Sequence, residues 1–169
     1  MAILTMRPYQ GERDLQPIAN LLNTCEAFDR EDIYHSVEGL QFEFSHPKFD
    51  PTQDLRLWQD CNGQLLAFAQ LWIPDESVSV ADGHLWFSVH PTHRNQGLES
   101  EVIAWAETRL RQVAQLRGLP AQLMVGCRDY QRDRIALFEK HQFSYERCFL
   151  RMRRSLAEPI PAAQLPAGF

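Results

Sequence analysis

The sequence predicts a mixed α/β (α+β) fold, a central sheet of antiparallel and parallel strands with helices on both faces. Three observations lead there. Residues Asp54 to Trp58 alternate polar and apolar, and Leu65 to Ile73 returns after an Asn-Gly turn, the pattern of a hairpin. A third apolar strand, His84 to Val89, runs through a short polar loop into a long amphipathic helix. Another strand, Ala121 to Cys127, follows that helix, and a strand-helix-strand unit makes a right-handed crossover with parallel pairing. A hairpin ahead of the crossover excludes the doubly wound nucleotide-binding folds.

The elements follow in order. Ile3 to Met6 is a short apolar first strand, closed by Pro8 and the turn-like stretch YQGERD. Asp14 is placed to cap a helix from Leu15 to Phe28, with Leu15, Ile18, Leu22 and Cys25 on one face. A second helix is expected over Ser36 to Phe44, ended by the HPKFDP turn. In the long helix, Leu98, Val102, Ile103, Ala106, Leu110 and Val113 form an apolar stripe, and Gly118 with Pro120 stops it. Asp133 caps a short helix to about His141, with Ile135, Leu137 and Phe138 inward, and Cys148 to Met152 reads as a last strand. The segment 155–169 holds three prolines and no period, so it is expected to be a tail or linker after a domain at 1–154.

Composition narrows the function classes. With 169 residues, 44% of them hydrophobic, the chain is long enough for one domain with a real core. Its formal charge of −5 argues against a large nucleic-acid footprint. No apolar run is long enough to span a bilayer, and the first residues lack a secretory layout, so a cytoplasmic protein without a membrane partner is expected. Cys25, Cys61, Cys127 and Cys148 have neither metal nor disulfide spacing and are expected to be mostly buried small hydrophobes. His84, His90 and His93 lie outside any metal-binding motif, so no metal site is assigned.

The loop VHPTHRNQGLES, residues 89–100, carries the chemistry. A helix start offers unpaired backbone N–H groups and a positive dipole end, which together seat an anion. Arg94 adds a cation, and Gly97 lets a bulky diphosphate approach the backbone. On these residues alone, an ordinary strand-to-helix turn with solvated side chains explains the stretch equally.

The loop resembles the acetyl-CoA-binding segment of the GCN5-related N-acetyltransferase (GNAT) superfamily, V-x-P followed by R/Q-x-x-G-x-G/A. GHLWFSVHP resembles that family's central strand, EVIAWAETRLRQ its next helix, LRLWQDCNGQLLAFAQLW its hairpin, and DRIALFEKHQFSYERCFLRMRR its closing segment. The resemblance implies an acyl-CoA N-acyltransferase fold whose central strand splays from its parallel neighbour to admit the pantetheine arm. It implies acetyl-CoA as donor substrate, held by Ser88, Val89, Arg94, Asn95, Gln96, Gly97 and Leu98, with the acyl group near Phe87 to Val89. Transfer would go directly to a small-molecule or peptide amine.

The sequence also departs from the pattern. Glu99 stands where glycine or alanine is expected, adding bulk and like charge beside a diphosphate. Phe138 stands where many members carry a proton-donating tyrosine, and Tyr130 is the nearest aromatic hydroxyl that precedes it in sequence. Gln142 replaces the glycine before Phe143, a change suited to a turn with negative φ. No acidic base lies in HLWFSV, and His84 is the only titratable candidate there, so no catalytic residue is assigned. The tail resembles the connection inside tandem acetyltransferases, which implies a covalently linked second GNAT domain. Two readings result: an active acyl-CoA-dependent N-acetyltransferase, or a degenerate half that serves as a structural or interaction domain.

Overall fold

Among the described residues, five strands form one sheet in the order β1-β2-β3-β4-β5, where β1 is Thr5–Pro8, β2 Leu55–Gln59, β3 Leu65–Trp72, β4 Ala81–Val89 and β5 Ala121–Val125. The first three pairings are antiparallel, and β4 with β5 is parallel. The computed structural model describes residues 4–75, 79–150, 152, 154, 155 and 157. The chain divides into two compact units, Met1–Arg132 and Asp133–Phe169. Ile3, part of the Asp75 to Asp82 loop and the predicted tail beyond 157 lie outside the described residues. Among the described residues, no helix is long and apolar enough to cross a membrane.

Side-chain parity assigns the two faces of the sheet. Leu57 and Phe68 sit opposite each other and join a core built from Leu15, Ile18 and Leu22 of α1 (Leu15–Asp29) and Leu40 and Phe44 of α2 (Val37–Phe44). The alternate positions meet α4 (Leu98–Arg117): Trp58 packs edge-on against Trp105, centroids 6.2 Å apart. At Gly83 a Cβ would stand 2.8 Å from Leu110 Cδ2, so glycine brings this helix close over β4. Ile18, Leu22, Leu57, Phe68 and Val102 are fully buried, each contributing about 1.5–3 kcal/mol through burial.

Several predicted ends are corrected. Asp14 stands at the N-cap position of α1, as expected, but its side chain makes no capping bond; a 3-10 turn, Glu12–Asp14, precedes that helix, and the carboxylate takes a two-pronged bond from Arg7 at 2.7 and 2.8 Å. Pro51–Asp54 is a short helix, α3, where a turn was expected, because the Asp50 carboxylate caps it through the Thr52 N–H. Cys148 to Leu150 and Met152 form no strand: Phe149, Leu150 and Met152 are over 80% exposed, and these residues enter no ladder that would satisfy their backbone groups. Gln142 adopts φ 65°, not a negative value, because the end of α5 (Arg132–Lys140) is closed by the Phe143 N–H bonding back to the Phe138 carbonyl. Only Cys25 is buried; Cys61 in the hairpin turn, Cys127 beyond β5 and Cys148 are exposed.

Candidate functional site

The site is the end of β4 and the loop into α4. Pairing between β4 and β5 stops at Leu85 and Val125, whereas β4 continues to Val89, still paired with β3. β5 has therefore ended where β4 runs on through Trp86 to Val89, and no described strand pairs with that edge. The His90 N–H bonds to Leu66, so antiparallel alternation turns the Val89 backbone away from β3, toward the side where β5 has ended.

The loop itself is tightly built. His90 is extended ahead of Pro91, and Pro91–His93 makes a single 3-10 turn capped by the His90 side chain. Burial, with the nearby His93 and Arg94, lowers the His90 pKa. Asn95 and Gly97 both take positive φ, 60° and 97°, which turns the chain into α4. Gly97 is the N-cap, and its conformation suits glycine alone at no cost.

Each predicted cofactor residue lies at this junction, and several of their polar groups already have partners within the chain. Ser88 is buried and sits opposite Phe68, on the α1 and α2 face. The Val89 carbonyl accepts from Arg94 Nε at 3.0 Å and from Cys25 Sγ at 3.3 Å. The Arg94 guanidinium forks onto Asp29 of α1, at 2.6 and 2.9 Å, and lies 5.3 Å over the Phe28 ring. Burial alone would lower the Arg94 pKa, but the Asp29 carboxylate more than offsets this and raises it. Arg94 is thus an internal tie between loop and helix, in place of the outward phosphate contact expected. Gln96 donates to the Thr92 carbonyl at 2.8 Å, and Leu98 is buried as the first residue of α4.

Glu99 completes the pattern. Its side chain is 7% exposed and folds back, so that Oε1 accepts the Asn95 backbone N–H at 2.9 Å. A carboxylate at the first turn of a helix is stabilised by the dipole and by such a bond. A coenzyme diphosphate would have to meet the same loop amides beside a buried negative charge. At the Asn95 amide the chain supplies its own anion, so that donor is not open to such a group.

The proton-handling candidates are scattered. His84 is exposed and pairs with Trp72 in the first half of β4, five residues before Val89. The Tyr130 hydroxyl bonds to Glu31, which also pairs with Arg128 and raises the tyrosine pKa through that bond. Phe138 packs edge-on against Phe143, 5.7 Å between centroids, and offers no proton.

Sequence reasoning missed Glu26 and His35. His35 Nε2 approaches Glu26 Oε1 at 3.6 Å, and both Glu26 Oε2 and His35 Nε2 are buried without a hydrogen-bond partner. The His35 ring lies 5.7 Å from that of Trp86, on the part of β4 that runs beyond the end of β5. Asn23 holds the loop by bonding both the N–H and the carbonyl of His35 at 2.9 Å. No motif spacing signals this pair, because the loop after the left-handed Arg30 brings His35 back to the helix.

Comparison with known proteins places this geometry. The family model described as acetyltransferase (GNAT) family matches residues 15–143. A search of curated proteins finds no match. The fold is similar to a GCN5-related N-acetyltransferase from Sphaerobacter thermophilus, with TM-score 0.71, 20% identity and 82% of this chain covered. The chain spans 42% of that protein's length. It is also similar to an aminoglycoside 6'-N-acetyltransferase from Acinetobacter baumannii, TM-score 0.63 and 12% identity, covering 91% of this chain and 99% of that one. Glucosamine-6-phosphate N-acetyltransferase from Arabidopsis thaliana gives TM-score 0.61 and 13% identity, with the same coverage. At these identities the likeness is one of fold, while the family match spans most of the chain. This chain belongs to the acetyltransferase (GNAT) family.

Proposed function

We propose that this chain is a GNAT domain whose diphosphate seat is filled by its own Glu99, and that it serves as the structural or interaction half of a tandem acetyltransferase. The observation that carries this reading is the Glu99 to Asn95 bond at 2.9 Å. The withdrawal of Arg94 onto Asp29 supports it, since the loop's cation is neutralised internally. Phe138 supports it too, lacking the hydroxyl that would protonate a departing thiolate. Tyr145, Phe149, Leu150 and Met152 are each over 80% exposed, an apolar strip suited to a covalently linked neighbour. The Sphaerobacter likeness, in which this fold fills less than half of the longer chain, is consistent with that arrangement.

The second reading is an active N-acetyltransferase that passes an acetyl group from acetyl-CoA to an amine. Two observations favour it: the edge of β4 left without β5 after Leu85, and the Glu26 and His35 pair beside Trp86. In that reading His35 takes the amine proton and Glu26 steadies the imidazolium. Thiol release from acetyl-CoA over a panel of primary amines separates the two. The first reading predicts background release with the natural chain. Saturable, amine-dependent release that His35→Asn abolishes would establish the second.

A further inference from the structure

We propose that the Pro91–His93 turn is a pH-sensitive latch at the head of the loop into α4, closed only while His90 Nδ1 carries no proton. Three side chains form it. His90 Nδ1 lies 2.8 Å from the Thr92 hydroxyl oxygen, which in turn lies 2.9 Å from His93 Nδ1. The Thr92 backbone N–H also donates to His90 Nδ1, at 3.4 Å, and so caps the turn.

The hydroxyl has one proton and two imidazole neighbours, which fixes the role of each group. Because His90 Nδ1 accepts a backbone N–H, it is unprotonated, and the neutral ring carries its proton on Nε2. The Thr92 hydroxyl therefore donates to that same nitrogen. Its oxygen is left to accept, so His93 Nδ1 carries a proton and donates to it. Protonating His93 breaks nothing here, since its Nδ1 already donates. Protonating His90 turns the shared acceptor into a donor, and the Thr92 amide and hydroxyl lose their partner together.

The surroundings oppose a charge on His90. Burial lowers its pKa, and the neighbouring His93 and Arg94 of the same loop add to that. The carboxylates nearby have other partners: Asp29 of α1 is held by Arg94, Glu26 of α1 lies beside His35, and Glu99 of α4 accepts the Asn95 N–H. The Cys25 thiol of α1 bonds to the Val89 carbonyl, and β3 contains no ionisable side chain. A lowered folded-state pKa makes this turn's contribution complete above the ordinary histidine value, about 6.5, and lost as pH falls through the folded value. Opening reaches along the loop, because Gln96 donates to the Thr92 carbonyl.

The test follows the histidine ring nitrogens and amide exchange of the whole chain by NMR between pH 8 and pH 5. Acetyl-CoA is omitted, so the outcome does not depend on whether Glu99 closes the diphosphate seat. At pH 8 the proposal predicts His90 protonated on Nε2 and His93 on Nδ1. Thr92→Val should raise the His90 pKa and release His93 from the Nδ1–H form. The His93 amide bonds to the His90 carbonyl at 2.8 Å, and its protection should fall about fivefold or more by pH 5 while α4 stays protected. His90→Asn offers a capping oxygen that does not titrate, so it should keep that amide protected at both pH values. The proposal is overturned if His90 carries its proton on Nδ1 at pH 8, or if Thr92→Val leaves the His90 pKa unmoved. It is also overturned if His90→Asn loses protection as the natural chain does, if the natural chain keeps its protection at pH 5, or if α4 loses protection at the same pH.

Discussion

Glu99 Oε1 lies 2.9 Å from the Asn95 backbone nitrogen, so the anion on this loop is part of the chain. Five residues upstream of Glu99, Arg94 is turned away from solvent onto Asp29. The two contacts have a common consequence. The loop keeps the shape of an anion seat, because left-handed Asn95 and Gly97 still turn it into α4, but its Asn95 amide and its cation have internal partners.

The Arg94 tie predicts a stability cost. Asp29→Asn leaves a half-buried guanidinium without its counter-charge and should destabilise the chain by about 1–3 kcal/mol. For a chain of this length that is a fall in Tm of roughly 3–10 °C, readable by thermal denaturation. An unchanged Tm would mean that the fork contributes nothing beyond its appearance.

At Gln142 the expected change has the opposite sign. A left-handed φ of 65° is one that glycine adopts without strain, and the residue closes the end of α5. Gln142→Gly should therefore stabilise the chain by about 0.5–1 kcal/mol, measured as a rise in the denaturant midpoint. A lower midpoint would show that the glutamine side chain contributes more than its backbone strain costs.

Asp14 gives a pH dependence. Burial pushes its pKa up, but the Arg7 fork and the Gln10 N–H outweigh burial and hold it below the usual aspartate value. A depressed folded-state pKa means stability that is complete above the unfolded value, about 3.9, and is lost as pH falls through the folded value. Asp14→Asn should be less stable than the natural chain by about 1–3 kcal/mol near pH 7, and the gap should narrow as pH drops below about 4. Denaturant melts at pH 7, 5 and 3 check it; a constant gap would contradict the assignment.

Cysteine exposure sets a fourth expectation. Cys25 is buried, burial raises its pKa, and its thiol donates to the Val89 carbonyl. Cys61, Cys127 and Cys148 are exposed. Thiol titration of the native chain should find three fast groups and one that reacts only after unfolding. Four fast thiols would mean that the packing of α1 against the end of β4 opens readily.

The fold was legible where local chemistry decides it. Asn62-Gly63 marks a hairpin wherever it falls between apolar runs, and Gly118 ends α4 in the left-handed conformation that glycine favours. The apolar stripe from Leu98 to Leu110 needed only helical periodicity. Elsewhere the decisive partner lies far along the chain. Arg94 reads as an anion contact until Asp29, 65 positions earlier, is seen to hold it. Likewise Glu99 was legible as an obstacle, but not as the acceptor of the Asn95 amide. The Glu26 and His35 pair was invisible because a loop, not a spacing, brings it together. The Cys148 to Met152 strand was overread, since apolar content alone does not supply a pairing edge.

One measurement tests the central claim most directly: calorimetric titration of acetyl-CoA into the natural chain and into Glu99→Ala, at low salt. The account predicts no measurable binding by the natural chain and binding at least tenfold tighter once the carboxylate is gone, about 1.4 kcal/mol or more. Equal affinities for the two proteins, or micromolar binding by the natural chain, would contradict the claim that Glu99 occupies the seat.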